Sequence, residues 1–457
     1  MVWQHLAANF IPLCLMYKTV VVKAIAFKAV LLCAVLFCIN IQASGQRYLS
    51  DYDSTLFIRD TLRPFLKRLE NLHFSGYIQP QFQVAQQKGA PSYNGGNFSE
   101  FSNNRFMLRR ARIKLDYILE AAERNLPKAL FTFQIDATER GVNVRDMFVR
   151  LYEPKAQNFS LTTGIFARPF GYEINLSSAY REAPERGRMS QILMPTERDL
   201  GAMITYEPQK HSRVKPLFKW DAGFFNGQGL SGTADFDSFK DFISRFTLKP
   251  VQLTKSFAVS GGLSLLYGGW RQATKYQYTI GAANGDALFV VDSSEKNIGQ
   301  KAPRHYYGAD VQLIKQARYG KTELRAEYWK GKQPGTALTT TNPGVLPPVP
   351  TYVRHFDGVF LYFLQNIINQ NWELVIKYDW YDPNTKVKAG DIGKVSTNLS
   401  AADVKFSTLG VGMTRYMNAN LKLLLYYDWV ENEKTALTGY ATDLKDNVFT
   451  CRIQMRF

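Results

Sequence analysis

Arg110, Arg112 and Lys114 take alternate positions in the stretch RFMLRRARIKLDYILE at 105–120. In an extended chain they stand about 7 Å apart along one side. A guanidinium presents a planar fork that matches oxyanions, and its charge does not titrate. Three cations in a row can hand an anion from site to site, and rings of Arg or Lys are how anion pores select. Arg150 extends the set of candidate anion-binding residues. Arg150, Lys219, Arg245, Lys377, Lys422 and Arg452 would add to a wet inner wall, opposed by Asp116, Asp136, Asp146, Asp221, Glu323, Glu327 and Glu373. On charge alone, a selective and a non-selective passage are both open.

The second group with chemistry lies in a long connection, RPFGYEINLSSAYREAPERGRMSQILMPTER at 168–198. It carries Arg168, Arg181, Arg186, Arg188 and Arg198 beside Glu173, Glu182, Glu185 and Glu197. Phe170, Tyr172, Ile174, Leu176 and Tyr180 would be poorly placed in bulk water. The loop is therefore expected to fold inward and narrow a passage. Other chemistries find no footing. After the expected signal, only His73, His211, His305 and His355 remain, and no Ser–His–acid set accompanies them. No Cys/His cluster has metal-ligand spacing, no phosphate-cradling loop or nucleic-acid module appears, and no cofactor is implied. A barrel hydrolase and a plugged, purely structural barrel are the weaker rivals to a channel that is not an enzyme.

Such side chains need elements with one wet and one greasy face, and the chain supplies them. In 105–120, Ala111, Ile113, Leu115 and Tyr117 oppose the cations. In 448–457, Phe449, Cys451, Ile453, Met455 and Phe457 oppose Val448, Thr450, Arg452, Gln454 and Arg456. This period of two marks β-strands with unlike faces. Strands are expected near 74–87, 105–120, 128–138, 144–153, 158–167, 199–207, 216–226, 239–249, 256–268, 304–317, 320–331, 353–367, 371–382, 403–416, 420–431 and 446–457. Long connections at 88–104, 168–198, 269–303, 332–352, 383–402 and 432–445 follow odd-numbered strands. Short turns are expected only after even-numbered ones. Short periplasmic turns and long extracellular loops are the plan of a transmembrane β-barrel. Tyr378, Trp380, Tyr427 and Trp429 sit toward the outer ends of their strands, as an interfacial aromatic girdle requires.

Composition agrees with an all-β, antiparallel barrel of about sixteen strands in a bacterial outer membrane. The 25 Tyr and 31 Phe among 457 residues could furnish such girdles. A mean hydropathy of -0.23 does not imply membrane-spanning helices. Lys18, Lys23 and Lys28, the apolar run 29–41 and the small residues at 43–45 predict a signal peptide over 1–45. Met16 would serve as its start, and cleavage would leave Gln46 first. Residues 46–73 are expected to form a periplasmic segment with a short amphipathic helix, from Leu62, Phe65, Leu66, Leu69 and His73. The barrel is expected over 74–457. Once the signal is removed only Cys451 remains, so closure by hydrogen bonds must replace disulfides. Removing three lysines from 56 basic residues leaves 53 against 39 acidic ones, a balance that could bind nucleic acid, acidic sugars or lipid headgroups, or draw small anions.

The stretches FSGYIQPQFQ at 74–83, FMLRRARIKLDY at 106–117, RPFGYE at 168–173, ERDLGAMITYEP at 197–208 and the terminal strand occur in an order that resembles the phosphate-selective porin O and P family. Together they span nearly the whole mature chain, and its look resembles members from Bacteroidota-type bacteria. The resemblance implies a sixteen-stranded trimeric barrel with inward-folded loops, set among outer-membrane lipid and lipopolysaccharide. It also implies an arginine ladder for anions such as phosphate, onto which Arg110, Arg112, Lys114 and Arg150 fall. The loop arginines would stand at the constriction.

Overall fold

The structure is a computed structural model that describes residues 71–120, 126–209, 215–232, 234–318 and 320–457. The expected signal peptide and most of the segment 46–73, with its amphipathic helix, lie outside the described residues. Eighteen strands run in chain order: β1 (Leu72–Ala85), β2 (Asn104–Glu120), β3 (Pro127–Thr138), β4 (Gly141–Tyr152), β5 (Phe159–Ala167), β6 (Arg198–Tyr206), β7 (Phe218–Phe225), β8 (Asp241–Thr254), β9 (Phe257–Arg271), β10 (Gln277–Ala283), β11 (Asp286–Asp292), β12 (Lys301–Ala317), β13 (Gly320–Gly335), β14 (Thr351–Asn366), β15 (Trp372–Asp382), β16 (Phe406–Tyr416), β17 (Leu421–Asn432) and β18 (Val448–Arg456). A short helix, α1 (Arg188–Leu193), interrupts the loop after β5.

Sixteen of these strands are staves of one closed antiparallel barrel. β9 pairs directly with β12, so β10 and β11 form a hairpin outside the ring. The hairpin leans on β14, where Gln277, Tyr278 and Thr279 pair in parallel with Thr351, Tyr352 and Val353. β1 pairs with β2 on one side and β18 on the other, which closes the sheet. The seam is finished by Gly76 and Phe457, whose N–H groups each donate to the other's carbonyl at 3.1 Å. Closure leaves no edge strand in the ring and pairs the backbone inside the wall, the condition for a β-structure in hydrocarbon. Gly76 also makes room at the seam, because a Cβ there would run into the Phe457 ring.

Three sequence expectations are corrected. The barrel starts at Leu72, so His73 belongs to β1 and not to a helix. The connection 269–303 holds a hairpin of its own. Glu139 and Arg140 make a two-residue turn after β3, so one tight turn follows an odd-numbered strand.

The outward face is apolar, with Phe74, Phe106, Ile204, Phe224, Leu263 and Ile453 among its exposed side chains. The lumen face carries most of the buried charge. A substitution pair tests this orientation. Leu263→Arg, in the middle of β9 and facing outward, should cost about 2–4 kcal/mol in urea unfolding of vesicle-reconstituted protein. Thr247→Arg faces the water-filled lumen and should stay within about 0.5 kcal/mol. Equal costs would overturn the assignment of faces.

Candidate functional site

The loop between β5 and β6 lies inside the barrel, and its four glutamates show why. Glu185 accepts from Arg109 (2.8 and 3.1 Å), Arg110 (2.6 and 3.1 Å) and Arg452 (2.9 Å), all on the wall. Glu182 takes both prongs of Arg325 at 2.8 and 2.9 Å. Glu197 binds Arg145 at 2.6 Å and lies 3.3 Å from Arg198 and 3.6 Å from Arg186. Glu173 holds the loop to itself, accepting from Gly187 N–H at 2.9 Å and Ser190 Oγ at 2.6 Å, and lies 3.8 Å from Lys377. A carboxylate inside a barrel must be paired or remain wetted, and these are paired.

The other end of the loop is held by packing. Phe170, Ile174, Met189, Ile192, Leu193 and Met194 join Phe225, Ile243, Leu266, Tyr306, Trp329, Phe356 and Tyr381 of the wall in one buried cluster. Phe170 sits edge-on to Trp329, with centroids 4.7 Å apart. Beside it, Glu327 of β13 accepts the backbone N–H groups of Tyr172 and Glu173, both at 2.9 Å. Gly171 has φ +66°, and a Cβ there would strike the Glu327 carboxylate. Only glycine lets the backbone approach the wall this closely.

Two β-bulges supply arginines that simple alternation hides. The β1–β2 register slips between Gln79 and Pro80, so Arg109 is an extra residue opposite them. The β3–β4 register slips between Gln134 and Ile135, which makes Arg145 the extra one. A bulge opposes two residues to one and re-aims a side chain. Arg109 and Arg145 turn inward and each takes a glutamate of the inserted loop. Strict alternation would have left both in hydrocarbon, where an arginine is costly. That cost was the signal that could have found them.

The expected ladder is distributed along the lumen. Arg110 is buried against Glu185 and Gln79. Arg112 pairs with Asp136 at 3.0 Å and Lys114 with Asp116 at 2.6 Å. Arg150 donates to Thr162 Oγ1 at 2.9 Å. Of the loop arginines, Arg168 donates to the Thr196 carbonyl, Arg181 stands 3.9 Å from Glu185, and Arg198, the first residue of β6, binds Asp146 at 3.0 and 3.2 Å. Arg188 is held between the rings of Phe406 (3.6 Å) and Tyr93 (4.5 Å), 3.8 Å from Asp446. Burial pushes the Asp446 carboxyl up to about 6 against the pull of Arg188. No metal-binding group of His, Cys, Asp and Glu occurs among the described residues.

The loop leaves two large cavities that share no lining residue. One, of about 910 Å³, opens at the short-turn end and is lined by Arg112, Lys114, Arg150, Arg198, Lys219, Arg245 and Arg456 against Asp146 and Asp221. The other, of about 520 Å³, lies under the long loops with Arg109, Arg188 and Asp446. Beside Glu185 is a further cavity of only about 30 Å³, near the space one water needs.

No family model matches this chain, and no curated protein matches it. Solved structures do. The outer membrane channel DcaP of Acinetobacter baumannii aligns at 11% identity and TM-score 0.51, over 84% of this chain and 97% of that one. OmpF of Salmonella typhi, solved in complex with daunomycin, aligns at 11% identity and TM-score 0.50 over the same shares. At this identity the likeness is one of fold. The chain thus has the sixteen-stranded fold of outer-membrane porins. With its apolar exterior, that fold places it in the bacterial outer membrane.

Proposed function

We propose that the chain is a passive porin whose lumen favours small anions such as phosphate, as a relative of the phosphate-selective porin O and P family. The observation that carries this is the periplasmic cavity, where seven cations face two carboxylates. Arg150 and Arg456 have no carboxylate within ion-pair distance among the described residues. Lys114 and Lys219 pair with Asp116 and Asp221 yet keep 39% and 32% of their side-chain surface exposed. A cavity in which one sign of charge predominates, between low-dielectric walls, concentrates counter-ions. In this reading Arg112, Lys114 and Arg150 attract oxyanions at the inner mouth, and Arg110 acts through the loop it holds. The partners are small anions, outer-membrane lipid and lipopolysaccharide, and two further copies of the chain in a homotrimer.

A non-selective porin is the second reading, favoured by the pairing of Arg112 with Asp136 and Arg198 with Asp146. Planar-bilayer reversal potentials in a salt gradient separate the two. The wild type should pass anions in preference, with phosphate competing against chloride current. Lys114→Ala/Arg150→Ala/Arg456→Ala should bring the anion:cation ratio close to one. A wild-type ratio of one, or a triple variant that keeps the wild-type ratio, would sink the selective reading.

A further inference from the structure

The lumen pairs most of its cations, but the outer surface carries a basic row that is not paired. At the long-loop ends of β9, β12, β13 and β14, the outward positions hold Arg271, Lys301, His305, Lys330, Lys332 and His355. Register places Arg271 directly opposite Lys301 and Tyr267 opposite His305. Lys332 lies opposite His305 on one side and His355 on the other. Arg271 and Lys301 are like charges directly opposite, which destabilise a sheet unless anions sit against them.

The described residues do not provide them. Arg271, Lys301, Lys330 and Lys332 have no carboxylate within 4.0 Å among the described residues, in a protein that forms many ion pairs elsewhere, at up to 3.9 Å. Asp357 faces Lys330 in register, but its oxygens are approached by Tyr328 Oη at 3.3 Å and Trp380 Nε1 at 3.4 Å. Asp237 accepts the backbone N–H of Arg271 at 2.8 Å, not its guanidinium. Just below the row, Tyr267 stacks on His305 with centroids 4.1 Å apart, and Tyr307 and Tyr328 are exposed. These rings mark the hydrocarbon boundary. Near the same end of other strands the outward side chains are apolar: Phe106, Leu200, Phe224 and Trp429. The basic row stands out against these strands, at the long-loop edge of the apolar band.

We propose that this row is a docking site for the phosphorylated headgroups of lipopolysaccharide. Basic residues at a membrane boundary bind anionic lipid headgroups by charge, and the rings beneath would lie along the acyl chains. The test is binding of lipid A to the detergent-solubilised full-length protein by native mass spectrometry. Wild type should bind phosphorylated lipid A about tenfold more tightly than Arg271→Gln/Lys301→Gln/Lys330→Gln/Lys332→Gln. It should prefer phosphorylated to dephosphorylated lipid A by a similar factor. Unheated-gel mobility and single-channel conductance should not change, since the row lies outside the lumen. Should the quadruple variant not fold, Lys301→Gln/Lys332→Gln should show the same loss at smaller size. Equal binding by variant and wild type, or equal binding of dephosphorylated lipid A, would overturn the proposal. So would full displacement by millimolar inorganic phosphate, which would mark a site for the free ion.

Discussion

Glu185→Gln should widen the lumen and sharpen its preference for anions. Glu185 is the shared partner of Arg109, Arg110 and Arg452. The carboxylate and the last two arginines each keep less than a tenth of their side-chain surface exposed. Removing one member of a buried ion network leaves the rest uncompensated, at a cost on the order of 3–5 kcal/mol. Three guanidinium groups packed around a neutral amide would repel one another. The sheet is fixed by backbone pairing all the way round, so the part that can relax is the loop. Its tip should leave the wall and let the arginines turn to water. Single-channel conductance should then rise, and the reversal potential should shift toward anions, because one negative charge has left a lumen that keeps its cations. Glu185→Gln/Arg110→Gln should recover part of the closed conductance, since it removes one of the stranded charges; the coupling is read as a double-mutant cycle. A folded Glu185→Gln channel with wild-type conductance and selectivity would show that the loop is not held there.

The staves of this barrel were legible because a strand with water on one side and lipid on the other must alternate. All sixteen expected strands appear, with ends displaced by a few residues. What alternation could not show is where it breaks. Arg109 and Arg145 stand one residue out of step with the lumen-facing Arg110 and Asp146, and only the two bulges bring them inside. The tight turn at Glu139 and Arg140 escaped the parity of loop lengths, since a hairpin needs only two residues wherever it lies. The hairpin of β10 and β11 escaped because its strands are only seven residues each. The loop's inward course was readable from its apolar residues. Its partners were not, because they come from β2, β4, β13 and β18, which lie far apart in the chain and meet only across the closed lumen. A count of charges gave a near-neutral loop. The structure shows that this neutrality has a spatial pattern: the loop glutamates take arginines of the wall, while Arg150 and Arg456 at the inner mouth meet no carboxylate among the described residues.

Phe170→Ala should release the same loop from its other end without removing any charge. Phe170 is fully buried, edge-on to Trp329 at 4.7 Å and to Tyr306 at 6.0 Å. Truncating a buried phenylalanine costs about 3–5 kcal/mol. Here the cost falls on the seating of the loop, because the wall residues keep their strand pairing. Trp329 Nε1 donates to Glu327, and Glu327 in turn accepts the N–H groups of Tyr172 and Glu173. Loss of the ring therefore also loosens the carboxylate that holds the loop backbone. Conductance should rise as it does for Glu185→Gln, but the reversal potential should stay at the wild-type value, since no cation has been unmasked. The two substitutions together should open the channel less than their separate effects would sum to, because a loop freed at one anchor has less to lose at the other. Unchanged conductance in Phe170→Ala, or a reversal potential that moves as far as in Glu185→Gln, would separate the apolar cluster from the gate. The blockage would then rest on the ion pairs alone.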